Sequence, residues 1–283
     1  MKKRMLSILL VFCMIFSMMP VSASAAAGPT ELIQISWDTQ EKLGLSTSDV
    51  QRYWGYYAIR NAAELFAYGE FLSGTYDPVN AILLHDIFLE AGTQWTPLCM
   101  NDGGIFDGNG YAIKNLNIQT TNNNVGLFGY LRQATVKNLT ISGGMVTAGA
   151  YVGGLVGFCS ASTVEDCYVD LVVYSPSGSK VGGVAGYTTG ESTITRCANY
   201  GHITGRASSS IFGGIVGQGT GSKTNYITYC YNRGPVTPHG ASSGCIAGGI
   251  VGYTGTSVYQ VNNCYNAAPV TSIGISGTIT SYM

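Results

Sequence analysis

A glycine-rich apolar phrase recurs along the chain from Val125 onward. Its copies are VGLFGY (Val125–Tyr130), VGGLVGF (Val152–Phe158), VGGVAGY (Val181–Tyr187), FGGIVGQ (Phe212–Gln218) and AGGIVGY (Ala247–Tyr253). The equivalent glycines are 28, 29, 31 and 35 residues apart, counted at Gly126, Gly154, Gly183, Gly214 and Gly249. Self-similarity at a nearly fixed period of this length predicts a stacked repeat architecture.

A second apolar phrase follows each copy of the first. Its copies are TVKNLTI at Thr135, TVEDCYV at Thr163, TITRCANY at Thr193, YITYCYN at Tyr226 and QVNNCYN at Gln260. The intervening segments vary in length and are rich in Gly, Ser and Thr, so we expect short strands joined by turns that accept insertions. Two polar residues separate Val164 from Cys167, which predicts a bend between them. Leu155 and Val156 are adjacent, and a straight strand cannot turn both inward.

One coil of such a repeat cannot bury its own apolar face, whereas stacked coils share a core with a rise of ~4.8 Å per coil. The pattern therefore predicts an all-β fold, a right-handed parallel β-solenoid (β-helix) of about five to six coils with a small N-terminal cap that contains a helix. We expect an N-terminal segment at 28–56, the cap and first coil at 57–121, and the repeat coils at 122–272. Residues 273–283 are expected to form a capping strand, or to mark the truncation of a longer protein.

Residues 1–27 have the pattern of a secretory signal peptide. Three positive residues, Lys2, Lys3 and Arg4, precede an apolar stretch that is too short to span a bilayer comfortably. Small residues that suit signal cleavage follow at 23–27. We therefore expect a secreted, extracellular protein, either free or associated with the cell surface, without a transmembrane anchor.

Charge and cysteine content narrow the classes of partner. The formal charge of −1 becomes −4 once the three positive charges of the signal peptide are removed. A weakly acidic chain without a basic stripe argues against nucleic acid as a partner. One of the eight cysteines lies in the signal peptide, so the mature part holds an odd number. A fully paired disulfide framework is therefore excluded.

The two phrases resemble the GLUG-motif repeat, a β-solenoid element of bacterial secreted and surface proteins that also precedes some IgA-cleaving peptidases. The motif is GLFG at Gly126 and GLVG at Gly154, and GVAG and GIVG variants follow. The lead-in segment matches as well, and the resemblance covers roughly Tyr57 to Thr271; the matching stretches are Ala62–Leu65, Ala81–Ile87, Trp95–Leu98 and Gly104–Leu116. The resemblance implies the solenoid fold and a role as stalk, adhesive surface or spacer.

Two columns of equivalent residues are predicted to be structural. Four cysteines occupy a position at which the first coil has Leu139; they are Cys167, Cys197, Cys230 and Cys264. Since leucine fills the same slot, we expect a ladder of buried thiols, with disulfides as the alternative and zinc disfavoured. Two residues after the last three of them come Asn199, Asn232 and Asn266. We expect these to lie at a corner, to hydrogen-bond to their copies and to accept a left-handed backbone.

Two rows of aromatic residues are the candidate ligand-binding surface. Tyr168, Tyr231 and Tyr265 directly follow ladder cysteines and are expected to point outward. Tyr187 and Tyr253 belong to a second row, which also includes Tyr130 and Phe158. Exposed aromatic rows hold glycans or a host or bacterial surface protein, and the alternative is that they shield the corners of the coils.

We expect no catalytic residue, no metal site and no cofactor. Asp102, Asp107 and Asn109 faintly resemble a calcium loop, but a tight turn at 107–110 explains them better. Asp166 and Arg196 are predicted to pair at the surface. The function expected is a non-enzymatic adhesion or interaction scaffold that binds glycan or protein. The alternatives are a spacer of a larger surface protein and a polysaccharide-degrading β-helix enzyme, which needs converging carboxylates.

Overall fold

The computed structural model describes residues 31–271, apart from 76, 178–179, 207–209, 240–244 and 255–258. The predicted signal peptide (1–27) and the predicted C-terminal cap or truncation (273–283) lie outside the described residues. The helices of the described part are η1 (Trp37–Thr39, a 3-10 helix), α1 (Gln40–Leu43), α2 (Thr47–Arg52) and α3 (Ala62–Ser73).

Short strands make up most of the rest. The strands before the first glycine phrase are β1 (Ile33–Gln34), β2 (Tyr57–Ile59), β3 (Ala81–Leu83), β4 (Ile87–Phe88), β5 (Leu98–Met100), β6 (Ile105–Asp107) and β7 (Ala112–Gln119). The following strands are β8 (Phe128–Arg132), β9 (Thr135–Lys137), β10 (Thr140–Thr147), β11 (Val152–Gly153), β12 (Val156–Ser160), β13 (Thr163–Glu165), β14 (Tyr168–Ser175), β15 (Lys180–Gly182), β16 (Ala185–Thr189), β17 (Thr193–Thr195), β18 (Ala198–Asn199) and β19 (Ile203–Gly205). The last strands are β20 (Ile211–Gly213), β21 (Val216–Gly219), β22 (Asn225–Thr228), β23 (Tyr231–Asn232), β24 (Val236–Pro238), β25 (Ile246–Gly248), β26 (Val251–Tyr253), β27 (Tyr259–Asn262) and β28 (Tyr265–Asn266).

These strands form four sheets. Sheet A has the order β1-β2-β3-β6-β9-β13-β17-β22-β27, and only its β1–β2 pair is antiparallel among the described strand pairs. Sheet B has the order β4-β7-β10-β14-β18-β23-β28. It also contains β19, which pairs with β14, and β24, which pairs with β19. Sheet C has the order β5-β8-β12-β16-β21-β26, and sheet D the order β11-β15-β20-β25. The six strands of sheet C, one per coil, confirm the predicted parallel β-solenoid and its number of coils.

The bend predicted between Val164 and Cys167 lies at Asp166, which has a positive φ of 53°. It belongs to a column of left-handed residues that separates sheet A from sheet B in successive coils. The column contains Asn109, Asn138, Asp166, Arg196, Tyr229 and Asn263, with φ angles from 51° to 55°. Each of these residues reverses the inward and outward alternation, so that Val164 and Cys167 are both buried.

The glycine phrase forms the corner between sheets D and C. The chain turns at Gly154 and Leu155, which lie between β11 and β12, so that Leu155 and Val156 are both fully buried. A Cβ atom added to Gly154 would lie 2.6 Å from the carbonyl oxygen of Gly183 in the next coil. The glycine therefore allows neighbouring coils to approach at this corner.

Helix α3 covers the N-terminal coils. It begins at Ala62, within the predicted cap, and the side chain of Asn61 caps it by accepting a hydrogen bond from the amide of Glu64 at 3.0 Å. Its buried Tyr68 packs at 5.9 Å, centroid to centroid, on Phe106 inside the first coil. The core is thus aromatic beneath the helix and continues through the stacked coils as one cluster.

Candidate functional site

The strands of sheet B present three tyrosines in one register row on their outer side. Tyr168 is paired with Ala198, Ala198 with Tyr231, and Tyr231 with Tyr265 on successive strands. Tyr168 is 41% exposed and Tyr265 is 54% exposed, whereas Tyr231 is half-buried between its neighbours. One strand earlier, Thr140 occupies this register position and is paired with Tyr168.

Tyr200 joins this row, although the sequence pattern did not indicate it. Ala198 stands where the other coils have tyrosine, and Tyr200 follows two residues later on the same side of the sheet. Its ring meets the Tyr231 ring edge-on, with centroids 5.7 Å apart. The signal that could have identified Tyr200 is its position two residues after Ala198, since alternate residues of a strand lie on the same side. We refer to Tyr168, Tyr200, Tyr231 and Tyr265 as the tyrosine face.

Contacts within the tyrosine face hold its rings in place. The rings of Tyr231 and Tyr265 are stacked, with centroids 5.4 Å apart and an interplanar angle of 10°. The hydroxyl groups of Tyr200 and Tyr231 share a hydrogen bond. This bond, together with partial burial, raises the pKa of Tyr231 to about 12, so its phenol is neutral at physiological pH. Asp170 and Arg233, both exposed, flank the face on the same side as Tyr200.

The second predicted row lies on sheet C, away from the tyrosine face. The centroid of the Phe158 ring is 5.2 Å from that of Tyr130 and 5.0 Å from that of Tyr187. These three rings are half-buried, as the packing interpretation expects. Tyr253 is 42% exposed, but Gln218 occupies the register position between it and Tyr187. The structure therefore brings Tyr168, Tyr231 and Tyr265 onto one face, and places Tyr187 and Tyr253 on another.

The ladder cysteines line the core at the corner between sheets A and B. Cys167, Cys197 and Cys230 are buried, Cys264 is partly buried, and none of the four is in a disulfide. The Sγ atom of Cys230 accepts a hydrogen bond from the amide of Cys197 at 3.4 Å, and the thiol of Cys197 donates to the carbonyl oxygen of Thr195 at 3.2 Å. Burial raises the pKa of Cys197 well above its usual value; the neighbouring thiol of Cys167 adds to this effect, whereas that of Cys230 opposes it.

The asparagine column forms a chain of side-chain hydrogen bonds. Nδ2 of Asn199 donates to Oδ1 of Asn232 at 2.8 Å, and Nδ2 of Asn232 donates to Oδ1 of Asn266 at 2.7 Å. Each asparagine also bonds to the residue two positions later, as Asn232 does to the amide and carbonyl of Gly234. The expected left-handed backbone is wrong for these asparagines, since their φ angles are not positive. The left-handed corner lies three residues earlier, at Arg196 in the case of Asn199.

The acidic residues singled out in the sequence analysis are engaged with separate partners. Asp102 receives two hydrogen bonds from Arg132, each 2.8 Å long, whereas Asp107 is fully buried and accepts from the amide of Asn109 at 2.8 Å. Asp102 and Asp107 are therefore held by different partners, and Asn109 lies in a turn. Arg196 pairs with Asp166, as the sequence predicts, through two contacts of 2.8 Å. Within the described residues, no group of three or more potential metal ligands occurs.

An open cavity of about 430 Å³ adjoins the tyrosine face at Tyr168. Arg52 and Tyr53, from the end of α2, line one part of it. Another part is lined by Asn138 and Thr140, from the coil before that of Tyr168, and by Asp166 from the same coil. The aromatic ring of Tyr168 is therefore shared between the cavity and the face.

Comparison with known proteins supports the architecture. No protein-family model matches the chain, and no curated protein matches it. The crystal structure of a protein named putative immunoglobulin A1 protease, from Bacteroides ovatus, superposes with a TM-score of 0.58 and 18% identity, over 80% of this chain and 84% of that one. At this level of identity the likeness shows a common fold. Within the described residues, the helices are too short or too polar to cross a membrane.

Proposed function

We propose that this protein is a non-enzymatic, secreted or surface-displayed β-solenoid that binds glycan along its tyrosine face. The observation that carries the proposal is the set of neighbouring, largely exposed tyrosines on the outer side of sheet B. Phenol rings offer a flat apolar surface to the C–H face of a sugar and a hydroxyl group for hydrogen bonds. Clustered exposed aromatic residues mark interaction surfaces.

The arrangement of the rings suits an extended ligand parallel to the solenoid axis. Successive coils advance by ~4.8 Å. Tyr265 is therefore ~4.8 Å beyond Tyr231 along the axis, and Tyr168 lies two coils before Tyr231, a distance of ~10 Å. This step is comparable to the length of one sugar unit in an extended chain. Because stacking already fixes the rings of Tyr231 and Tyr265, a ligand that binds them immobilises few additional rotamers.

We also propose that the repeat is of the GLUG type, because of its GLFG and GLVG phrases. We further propose that this chain does not cleave peptide bonds. The solved neighbour is named as a protease, but the fold alone does not transfer an activity. Burial raises the pKa of the Cys197 thiol, and such thiols are poor nucleophiles. Asp166 and Glu165 are both paired with Arg196, which removes them as a free acid–base pair.

A glycan array with the full chain tests the proposal. Wild type is compared with the triple variant Tyr168→Ala, Tyr231→Ala and Tyr265→Ala, and circular dichroism verifies that both are folded. Tyr253→Ala is the matched control, because its exposure of 42% is nearly that of Tyr168 while it lies on sheet C. We expect wild type and control to bind the same glycans, and the triple variant to lose at least about tenfold in affinity.

Three outcomes would contradict the proposal. Failure of the folded wild type to bind any glycan would favour the spacer or a protein partner. Loss of binding in the Tyr253→Ala variant alone would move the site to sheet C. Release of reducing sugar from a bound polysaccharide would favour the degradative enzyme.

A further inference from the structure

The cavity at the N-terminal end of the tyrosine face has a chemistry of its own. We propose that it binds a carboxylate-bearing sugar, a uronic or sialic acid, at the end of a glycan that lies on the tyrosine face. The inference rests on the proposed function and adds to it the class and orientation of the ligand. A volume of about 430 Å³ accommodates a single sugar ring and lies in the range of small-molecule sites.

Arg52 supplies the positive charge for the carboxylate. Its guanidinium carbon lies 5.1 Å from the ring centroid of Tyr53, and within the described residues it forms no ion pair. A guanidinium group binds a carboxylate through two parallel hydrogen bonds, which makes arginine a selective partner for acidic sugars. Resting on an aromatic ring restricts the side chain before the ligand arrives.

Two of the three acidic residues near the cavity have cationic partners, and the third, Asp49, does not line it. Asp166 is paired with Arg196 at 2.8 Å. Asp107 is buried behind the turn, 3.5 Å from the ammonium group of Lys137. Asp49 accepts a hydrogen bond from the amide of Ser46 at the start of α2. Among the charged residues that line the cavity, which are Arg52 and Asp166, Arg52 is therefore the one without an ion pair in the described part of the chain.

Neutral groups in the cavity complement the hydroxyl groups and ring of a sugar. Within the described part of the chain, the hydroxyl groups of Thr140 and Tyr168 have no hydrogen-bond partner. Asn138 donates its amide to Asp107 at 2.9 Å, which leaves its carbonyl oxygen as an acceptor. Because the Tyr168 ring belongs to both the cavity and the face, a terminal sugar in the cavity continues directly into a chain on the face.

Isothermal titration calorimetry of the full chain with four probes tests this inference. The probes are a uronate-terminated and a sialylated oligosaccharide, each with its carboxyl-reduced neutral counterpart. The variants are Arg52→Gln and Thr140→Val in the cavity, and Tyr231→Ala on the face. Lys42→Gln removes one exposed positive charge from α1 and serves as the control for net charge.

We expect Arg52→Gln to weaken binding of one or both acidic probes by at least about tenfold, and to change binding of the neutral probes by less than about twofold. Tyr231→Ala is expected to weaken all probes that bind, and Lys42→Gln none. Equal effects of Arg52→Gln on acidic and neutral probes would overturn the inference. An effect of Tyr231→Ala without any effect of Arg52→Gln would overturn it too, while leaving the tyrosine face intact as a glycan site. Absence of binding to all four probes would overturn both.

Discussion

Replacement of Asn232 by valine measures what the asparagine column contributes to stability. Asn232 is fully buried and makes four hydrogen bonds through its side chain. It accepts from Asn199 at 2.8 Å and from the amide of Gly234 at 3.1 Å. It donates to Asn266 at 2.7 Å and to the carbonyl of Gly234 at 2.8 Å. Valine removes all four bonds, yet it fits this column, because Val169 occupies the same position two coils earlier.

The expected loss follows from these contacts. Four hydrogen bonds at a net value of about 1 kcal/mol each amount to about 4 kcal/mol. Burial of the additional apolar surface of valine offsets about 1 kcal/mol. We therefore expect Asn232→Val to reduce the free energy of unfolding by at least about 3 kcal/mol, since the buried groups that bonded to Asn232 also lose their partner. Asn266→Val is expected to cost about half as much, since Asn266 is only half-buried and makes fewer of these bonds.

Urea unfolding followed by circular dichroism and tyrosine fluorescence gives these free energies, provided that the slope with denaturant is the same in each variant. Asn262→Ser, an exposed position in β27, is the control and is expected to change stability by less than about 0.5 kcal/mol. A loss below about 1 kcal/mol for Asn232→Val, at unchanged slope, would refute the hydrogen-bond argument.

Three further predictions concern the core and the surface. Gly219→Val is expected to destabilise the protein by about 3 kcal/mol or more, because the new side chain would collide with the Tyr259 phenol; if Gly219→Val costs as much in a Tyr259→Ala background as in wild type, the collision is not the cause. Burial raises the pKa of the Cys159 thiol from its ordinary value near 9 to about 12. At a pH between these two values the unfolded chain has lost a proton that the folded chain keeps. Cys159 should therefore contribute up to about 1.4 kcal/mol per pH unit to the fall of the unfolding free energy between pH 9 and 12, beside the contributions of the other buried thiols. A decline in Cys159→Val as steep as that of wild type would count against this assignment. Arg196→Gln should cost less than about 1 kcal/mol in urea unfolding, because its side chain is 49% exposed; a loss above about 2 kcal/mol, insensitive to salt, would show that the pair matters structurally.

The period of the glycine phrase was enough to predict the solenoid and the number of its coils. The sequence placed a bend between Val164 and Cys167, but it did not show which residue is left-handed, because that position is filled in other coils by residues as different as Asn138, Arg196 and Tyr229. Asparagine tolerates such a backbone by itself, whereas arginine and tyrosine adopt it here at a cost, between two paired strands on either side. Sequence pattern alone does not record that constraint.

The role of the asparagine column was only partly visible in the sequence. Its repetition suggested bonds between copies, but the bonds to the second residue after each asparagine depend on a break in the strand. In the third coil β14 continues without interruption from Tyr168 to Ser175, whereas in the next coil β18 ends at Asn199 and β19 begins at Ile203. The asparagine side chain forms hydrogen bonds with the backbone groups that the break leaves unpaired. Tyr200 lies in that break, which is why the spacing of the other tyrosines did not reveal it.

Pairing of each strand only with its counterparts in adjacent coils has a consequence for how the protein is made. Helix α3 packs on the aromatic core of the first coil, which forms without an earlier coil. The strands of every later coil pair with strands of the coil that precedes it in the sequence. A chain that emerges N-terminus first can thus assemble progressively, with contacts that rarely reach beyond one period of sequence. Deletion of one whole period in the middle would shorten the rod while each remaining coil still met the same kind of neighbour.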